Sequence, residues 1–151
     1  MVDHVCNLVD AETQGRITLK RDYDPSIPDL HGDREQLIQA LLNIARNAMQ
    51  VLQYAARSVP TITFKTRVQQ NITIAGVRQK IVCRLDVTDN GPGIDPAIKE
   101  RIFLPMISGH GEGTGLGLTI AETAVNRHGG IIECRSTPGE TVFSVFLPIK
   151  V

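Results

Sequence analysis

The sequence lacks a disulfide framework, an excess of charge of one sign and a long apolar run. Its three cysteines, Cys6, Cys83 and Cys134, are odd in number and far apart, which argues against a disulfide frame or a zinc site. Sixteen basic residues balance sixteen acidic ones, so no diffuse charge favours nucleic acid or a membrane surface. No apolar run is long enough to span a bilayer, and the first residues lack a signal pattern. We therefore expect a cytoplasmic protein with no nucleic-acid or membrane partner.

Two widespread phosphate-binding motifs are also missing. The sequence contains neither G-x-x-x-x-G-K-[ST] nor G-x-G-x-x-G, so a P-loop enzyme and a dinucleotide-binding fold are not indicated. The length of 151 residues and the hydrophobic content of 42% suit one domain with a proper core. Because the net charge is zero, an anionic ligand must be held by a local site.

Apolar periodicity and turn residues predict a mixture of strands and helices. Asp33, with Gln36 three residues later, resembles a capping box. The predicted helices cover residues 1–13, 33–57, 95–102 and 115–128, and the predicted strands cover residues 16–20, 61–68, 80–88, 131–136 and 142–147. A long hairpin joins the second and third strands, with the polar stretch 69–79 between them. This order predicts a two-layer α/β sandwich, with helices on one face of a mixed sheet.

The long helix predicted after Asp33 presents two amides side by side. Its apolar face comprises Leu37, Leu41, Ile44, Ala45, Ala48 and Met49. Asn43 and Asn47 lie one turn apart on the flank of that face. An amide oxygen is a hard ligand suited to Mg²⁺, which binds through few protein groups together with substrate phosphates. Ordinary polar residues at the edge of the core would give the same pattern.

A carboxylate follows an apolar strand in the segment 88–94, which reads TDNGPGI. A buried Asp89 side chain accepts hydrogen bonds only, so it can pair with the exocyclic amine of adenine. Guanine presents a carbonyl oxygen there, and the unpaired charge would cost about 1.5 to 3 kcal/mol. Gly91 and Gly93 leave room for a flat ring beside the backbone. The segment predicts an ATP site, although a plain turn is the simpler alternative.

Every second residue from Gly109 to Gly117 is glycine, and this stretch opens a predicted helix. Free amides at a helix N-terminus attract phosphate, and the glycines allow the chain to close over it, so we expect a mobile lid. A flexible linker is the alternative. It would not run directly into Leu116, Leu118 and Ile120, which we expect to anchor the lid.

Together these segments resemble the ATP-binding catalytic domain of sensor histidine kinases, within the larger group that includes gyrase and MutL ATPases. Five segments carry the resemblance in the family's order: residues 33–48, similar to the N box; 89–94 and 113–118, similar to the first two glycine boxes; 102–106, similar to the F box; and 137–143, similar to the last glycine box. The resemblance covers nearly the whole chain.

The resemblance implies a role for each matching residue. Asn47 would hold Mg²⁺, Asn43 would assist the phosphates and the metal-bound water, Asp89 would bind adenine, and Thr141 would support Asp89 through a water. The phosphate cradle would be formed by Gly113, Thr114, Gly115, Leu116, Gly117 and Leu118. Phe103 and Met106 would anchor the lid by packing. His110 stands where many related lids carry Lys or Arg, so its contact with phosphate would be weaker at neutral pH.

The resemblance also implies that the phosphorylated histidine lies elsewhere. The four histidines are followed by Val or Gly, whereas the phospho-acceptor of this family is followed by Glu or Asp. Residues 1–13 would end the connection from a dimerisation and phospho-acceptor domain, and residues 14–151 would form the ATP-binding catalytic domain. The implied activity is transfer of the γ-phosphoryl group from Mg·ATP to a histidine on that other domain.

Within the family, the chain is most similar to the nitrogen-regulation kinases. That similarity implies a response regulator of the NtrC type and the PII signalling protein as partners. Two other functions stay open. An ATP hydrolase or serine kinase of this fold would place a general-base Glu where Asn43 stands. A nonenzymatic ATP-sensing module would share every binding residue.

Overall fold

The computed structural model describes residues 1–53, 59–99 and 117–149. The elements in chain order are α1 Val2–Thr13, β1 Thr18–Asp22, α2 Arg34–Leu52, β2 Thr61–Ile74, β3 Val77–Asp89, α3 Pro96–Lys99, α4 Gly117–Arg127, β4 Ile131–Thr137 and β5 Glu140–Pro148. Every predicted helix and strand has a counterpart among these elements.

The strands form a five-stranded sheet in the order β1-β2-β3-β5-β4. Strand β1 pairs in parallel with β2, and the other neighbours are antiparallel. Alternate residues of β3 and β5, such as Leu85, Val87 and Val145, are buried in one core with the apolar faces of the helices, including Leu41 and Ile44 of α2. The predicted two-layer sandwich with a mixed sheet is therefore confirmed. Burying each of these side chains contributes about 1.5 to 3 kcal/mol.

Helix α1 belongs to this same core. Val5, Cys6 and Val9 are fully buried, and they lie on one face of the helix. At its C-terminal end Glu12 forms an ion pair with Arg46 of α2, with a shortest N to O distance of 2.6 Å. Packing and charge both attach α1 to α2. The assignment of residues 1–13 to a connecting segment remains a prediction.

Helix α2 begins as the sequence predicts, but half of its capping box comes from a distant residue. The Gln36 N–H donates to Asp33 Oδ1 at 3.2 Å. The Asp33 N–H donates to Nε2 of His128 at 2.9 Å, and His128 Nδ1 lies 2.7 Å from the Ala124 carbonyl oxygen. His128 therefore links the end of α4 to the start of α2. The helix ends at Leu52, and residues 54–57 of the longer predicted helix lie outside the described residues.

The hairpin differs from the prediction, because the polar stretch 69–79 is mostly strand. Strands β2 and β3 run to a two-residue turn at Ala75 and Gly76, where φ is 48° and 78°. Two consecutive positive φ angles suit a type I′ turn, whose twist matches that of the strands. Ile74, next to this turn, packs with Val82 and Phe146 in a second apolar cluster. A few apolar residues therefore stabilise the otherwise polar stretch. Strand β1 was predicted to begin at residue 16. It begins at Thr18, which pairs with Thr61 at the start of β2.

Candidate functional site

Four side chains form one cross-strand row at the end of the sheet. Asp89 of β3 lies opposite Ile62 of β2 on one side and opposite Thr141 of β5 on the other, and Thr141 lies opposite Ser136 of β4. Residues directly opposite one another point to the same face, with Cβ atoms about 4.5 to 5.5 Å apart. Asp89 and Thr141 are each only 2% exposed. The row thus places a carboxylate and two hydroxyls together beneath the helices.

Burial dominates the electrostatics of Asp89. Desolvation raises the pKa of its carboxyl group to about 6, against a smaller opposing effect from the Gly91 N–H, which donates to Oδ1 at 2.9 Å. A carboxylate has about four acceptor positions. The protein supplies Asp89 with a single donor among the described residues, so the group retains capacity for a donor from a ligand.

The glycine turn after β3 is held closely on two sides. A Cβ at Gly91 would lie 2.8 Å from Val51 Cγ1 and 2.9 Å from Asp89 Oδ1, so the turn packs against the last turn of α2. Gly93 has a φ of 90°, and a Cβ there would lie 2.8 Å from the Thr137 carbonyl oxygen. Glycine is required at both positions by contacts with the protein itself. The predicted role of these glycines beside a base ring stays a prediction.

Two residues at this end of the sheet escaped the sequence prediction. Asn90 accepts from the Thr61 N–H at 2.9 Å and donates to the Val59 carbonyl oxygen at 2.8 Å, which joins the end of β3 to the start of β2. Ser136 accepts from the Ile94 N–H at 2.8 Å, which holds the glycine turn against β4. The position of Asn90, directly after Asp89 in a turn motif, was a signal that could have pointed to it. Ser136 has no local signal, because a serine in an alternating strand is common.

On the helix side, Asn43 and Asn47 are half-buried on one flank of α2, as predicted. Asn43 Oδ1 accepts from Gln39 Nε2 at 3.1 Å. Its Nδ2 atom is buried and has no partner among the described residues. A buried donor without a partner costs about 1 to 3 kcal/mol. This amide therefore suits a ligand oxygen.

The start of α4 lies beside these amides. A Cβ at Gly117 would lie 3.8 Å from Asn43 Cβ. Leu118 is buried, at 9% exposure, whereas Ile120 is 49% exposed. The expectation that Ile120 anchors the lid is therefore wrong, because it occupies the outer face of α4. The predicted lid residues lie outside the described residues, namely Phe103, Met106, His110, Gly113, Thr114, Gly115 and Leu116.

The cysteines and acidic residues offer no separate chemical centre in the described part of the chain. Cys6, Cys83 and Cys134 are free, and burial raises the pKa of the Cys83 and Cys134 thiols to about 11. Across residues 1–53, 59–99 and 117–149, no cluster of three His, Cys, Asp or Glu side chains could hold a metal. Within the same ranges no helix is long and apolar enough to cross a membrane.

Comparison with protein families shows to which family this fold and these motifs belong. Residues 32–151 match the family described as histidine kinase-, DNA gyrase B-, and HSP90-like ATPase. The chain is 47% identical over 150 residues to the sensory histidine kinase/phosphatase NtrB of Salmonella typhimurium, covering 99% of this chain and 42% of that protein. It is 43% identical over 149 residues to the protein of the same name from Vibrio alginolyticus, with the same coverage. The chain thus spans about two fifths of the length of these curated relatives.

Solved structures show the same fold. The mycobacterial sensor histidine kinase MprB superposes with a TM-score of 0.77 at 23% sequence identity. The superposition covers 99% of this chain and 93% of that one. The sheet order and the helix layer described above are therefore shared with a histidine kinase domain.

Proposed function

The chain belongs to the family of histidine kinase-, DNA gyrase B- and HSP90-like ATPases, and on that premise we propose that it is the ATP-binding catalytic domain of a nitrogen-regulation sensor kinase. The observation that carries the proposal is the buried Asp89 acceptor, in register with Thr141 on the face of the sheet that packs against α2. The identity to NtrB proteins over nearly the whole chain supports the narrower assignment to nitrogen regulation.

Asp89 and Thr141 bind the adenine base. The Asp89 carboxylate accepts from the exocyclic amine, and its burial makes a base without that amine unfavourable, since the charge would then stay unpaired. Thr141 supports this contact through a water. Gly91 and Gly93 shape the turn on which the base rests.

Asn43, Asn47 and the start of α4 bind the phosphates and Mg²⁺. The Asn47 amide oxygen is the metal ligand, and Mg²⁺ when bound neutralises charge on the transferring phosphoryl group. The Asn47 amide supplies a hard oxygen of the kind that Mg²⁺ takes. Asn43 Nδ2 is a buried donor without a protein partner in the described ranges, and it can donate to a phosphate oxygen. The backbone from Gly113 to Leu118 cradles the phosphates, with His110 as a weak further contact.

The reaction is phosphoryl transfer to nitrogen. An imidazole nitrogen of a histidine on a separate dimerisation domain attacks the γ-phosphorus, and the bond from that phosphorus to the β,γ-bridging oxygen breaks. ADP leaves with the electron pair of that bond, and the imidazole loses its proton to solvent. Asn43 stands where a hydrolase would carry a general base, and an amide cannot accept a proton usefully. The residues of this chain therefore position the γ-phosphoryl group, and they do not activate water.

The partners follow from the relatives. A dimerisation and phospho-acceptor domain supplies the histidine, and a response regulator of the NtrC type receives the phosphoryl group from it. The name of these relatives also includes a phosphatase activity, so we propose that the whole protein removes the phosphoryl group from the regulator as well. The PII signalling protein is proposed as its regulator.

Calorimetric titration of the chain with ATP and GTP, each with and without Mg²⁺, tests the site. We expect ATP to bind in preference to GTP, Asp89→Asn to weaken ATP, and Asn47→Ala to remove the effect of Mg²⁺. Asp86→Asn is the matched control, because Asp86 is a carboxylate of the same strand that pairs with Arg84 away from the site. A folded chain that binds no ATP would contradict the proposal. Transfer of labelled phosphate to an added dimerisation domain then separates a kinase from an ATP-sensing module.

A further inference from the structure

Ser136 connects two parts of the proposed site by hydrogen bonds. Its Oγ accepts from the Ile94 N–H at 2.8 Å, and it lies 2.8 Å from Thr141 Oγ1. Ser136 and Thr141 are directly opposite each other in β4 and β5. The serine therefore links the glycine turn to the row that contains Thr141 and Asp89.

Either hydroxyl of the Ser136–Thr141 pair can donate to the other. A hydroxyl has one proton to donate and two acceptor positions. Ser136 Oγ uses one acceptor position for Ile94, and in the described part of the chain the acceptor within reach of its own proton is Thr141 Oγ1. When Thr141 accepts from Ser136, the Thr141 proton must point away from the serine. Its other neighbour in the row is Asp89.

We infer that Ser136 is a positioning residue that makes Thr141 a hydrogen-bond donor beside the Asp89 acceptor. The inference rests on the proposed binding of adenine at Asp89. The outer edge of adenine presents an amine donor next to a ring-nitrogen acceptor. The row presents the complementary order, an acceptor at Asp89 and a donor at Thr141, acting directly or through one water. Hypoxanthine presents the reverse order, a carbonyl oxygen next to a ring N–H, so Ser136 contributes to the choice of base.

A purely structural role for Ser136 predicts something different. If the serine only holds the glycine turn through Ile94, its loss would weaken all nucleotides alike. Its effect would also add to that of removing the Thr141 hydroxyl, because the two changes would act on separate contacts. If the serine acts through Thr141, the two changes share one interaction and their effects do not add.

The test is a double-mutant cycle on the 151-residue chain, with ATP and inosine triphosphate titrated calorimetrically. We expect Ser136→Ala to lower ATP affinity about five- to tenfold, as for one hydrogen bond, and inosine triphosphate affinity by less. Thr141→Val should lower the two affinities in the same way. The double variant should bind ATP no more weakly than Thr141→Val alone. Ser144→Ala is the matched control, since Ser144 is a buried serine on the opposite face of the same sheet. It should change neither affinity.

Two results would overturn the inference. One is an equal loss for both nucleotides in Ser136→Ala, and the other is a double variant whose loss is the product of the two single losses. If circular dichroism shows that Ser136→Ala does not fold, the nucleotide preferences of Thr141→Ser and Thr141→Val test the donor role of Thr141 instead. A retained preference for ATP in the first and its loss in the second support the donor role, and loss in both overturns it. Absence of ATP binding by the folded unaltered chain would instead contradict the proposed function.

Discussion

At the sheet end of the proposed site Asp89 and Thr141 are each 2% exposed, and both already bond to protein groups. On the helix side Asn43 and Asn47 are half-buried, and Asn43 Nδ2 lacks a partner in the described ranges. The sheet end is thus organised in advance of the ligand, whereas the helix side offers groups that a ligand must complete. In the proposed site, this difference would separate selection of the base from binding of the phosphates.

The physical reason is the local environment. In a buried site electrostatic interactions are strong, and an unpaired polar group is correspondingly costly, so a wrong base is rejected. At a more exposed flank, charges are screened by water and salt, and an ion with its own water shell can be exchanged. The following variants act on one side or the other of this comparison.

Asn47→Ala should have the largest effect, because it removes the proposed metal ligand from the helix side. We expect phosphoryl transfer to fall about 100-fold or more, since a metal contributes several kcal/mol to such a transition state. The measurement is the initial rate of labelled transfer to an added dimerisation domain. Gln50→Ala, on the same helix, is the control and should keep the rate. If Asn47→Ala keeps the rate as well, the metal is held elsewhere.

Asp89→Asn should act on the sheet side and change the choice of base. Loss of a charged acceptor for the adenine amine should weaken ATP about 10- to 100-fold. The unaltered chain should also lose ATP affinity as the pH falls through about 6, because Asp89 then takes up a proton. Calorimetry from pH 5 to pH 8 measures both effects. A pH dependence that survives in Asp89→Asn would assign it to another group.

The same substitution should stabilise the chain when no nucleotide is present. The pKa of Asp89 is raised by burial from its ordinary 3.8 to about 6, so the folded state disfavours the charged form. That penalty is complete above pH 6 and disappears as the pH falls below 3.8. Asp89→Asn should therefore raise the free energy of unfolding by on the order of 2 kcal/mol at pH 7.5, with less gain at pH 5. Urea denaturation at both pH values gives the difference. A gain that does not depend on pH would mean that the buried charge is not its source.

His128→Ala should have the smallest effect and should leave the choice of base unchanged. It removes the acceptor for the Asp33 N–H, so we expect a loss of about 1 kcal/mol in unfolding free energy. His4→Ala, at an exposed position, should lose nothing measurable. Urea denaturation gives the stability, and the ratio of ATP to inosine triphosphate affinity gives the selectivity. A changed ratio would show that the two sides of the site are coupled through α4.

The predicted elements that the structure reproduces are those with strong local signals. Asp33 begins a helix because its carboxylate satisfies a free backbone N–H three residues on, whatever the rest of the chain does. The polar hairpin was misjudged because its strands are stabilised by pairing and by a small apolar cluster around Val82. Ile120 was misjudged because an apolar residue at a helix start does not show which face will be covered.

The family, the order of its motifs and the residue types of the proposed site could be predicted from the sequence, because these depend on short segments with strong local chemistry. Which of these residues are neighbours depends on the fold. It brings Ser136 of β4 against Thr141 of β5 and the Ile94 backbone, and it places His128 against the start of α2. Burial of Asp89, and with it the raised pKa, likewise follows from packing between sheet and helices. Hydrogen-bond direction and desolvation depend on distant parts of the chain meeting, which no local pattern contains.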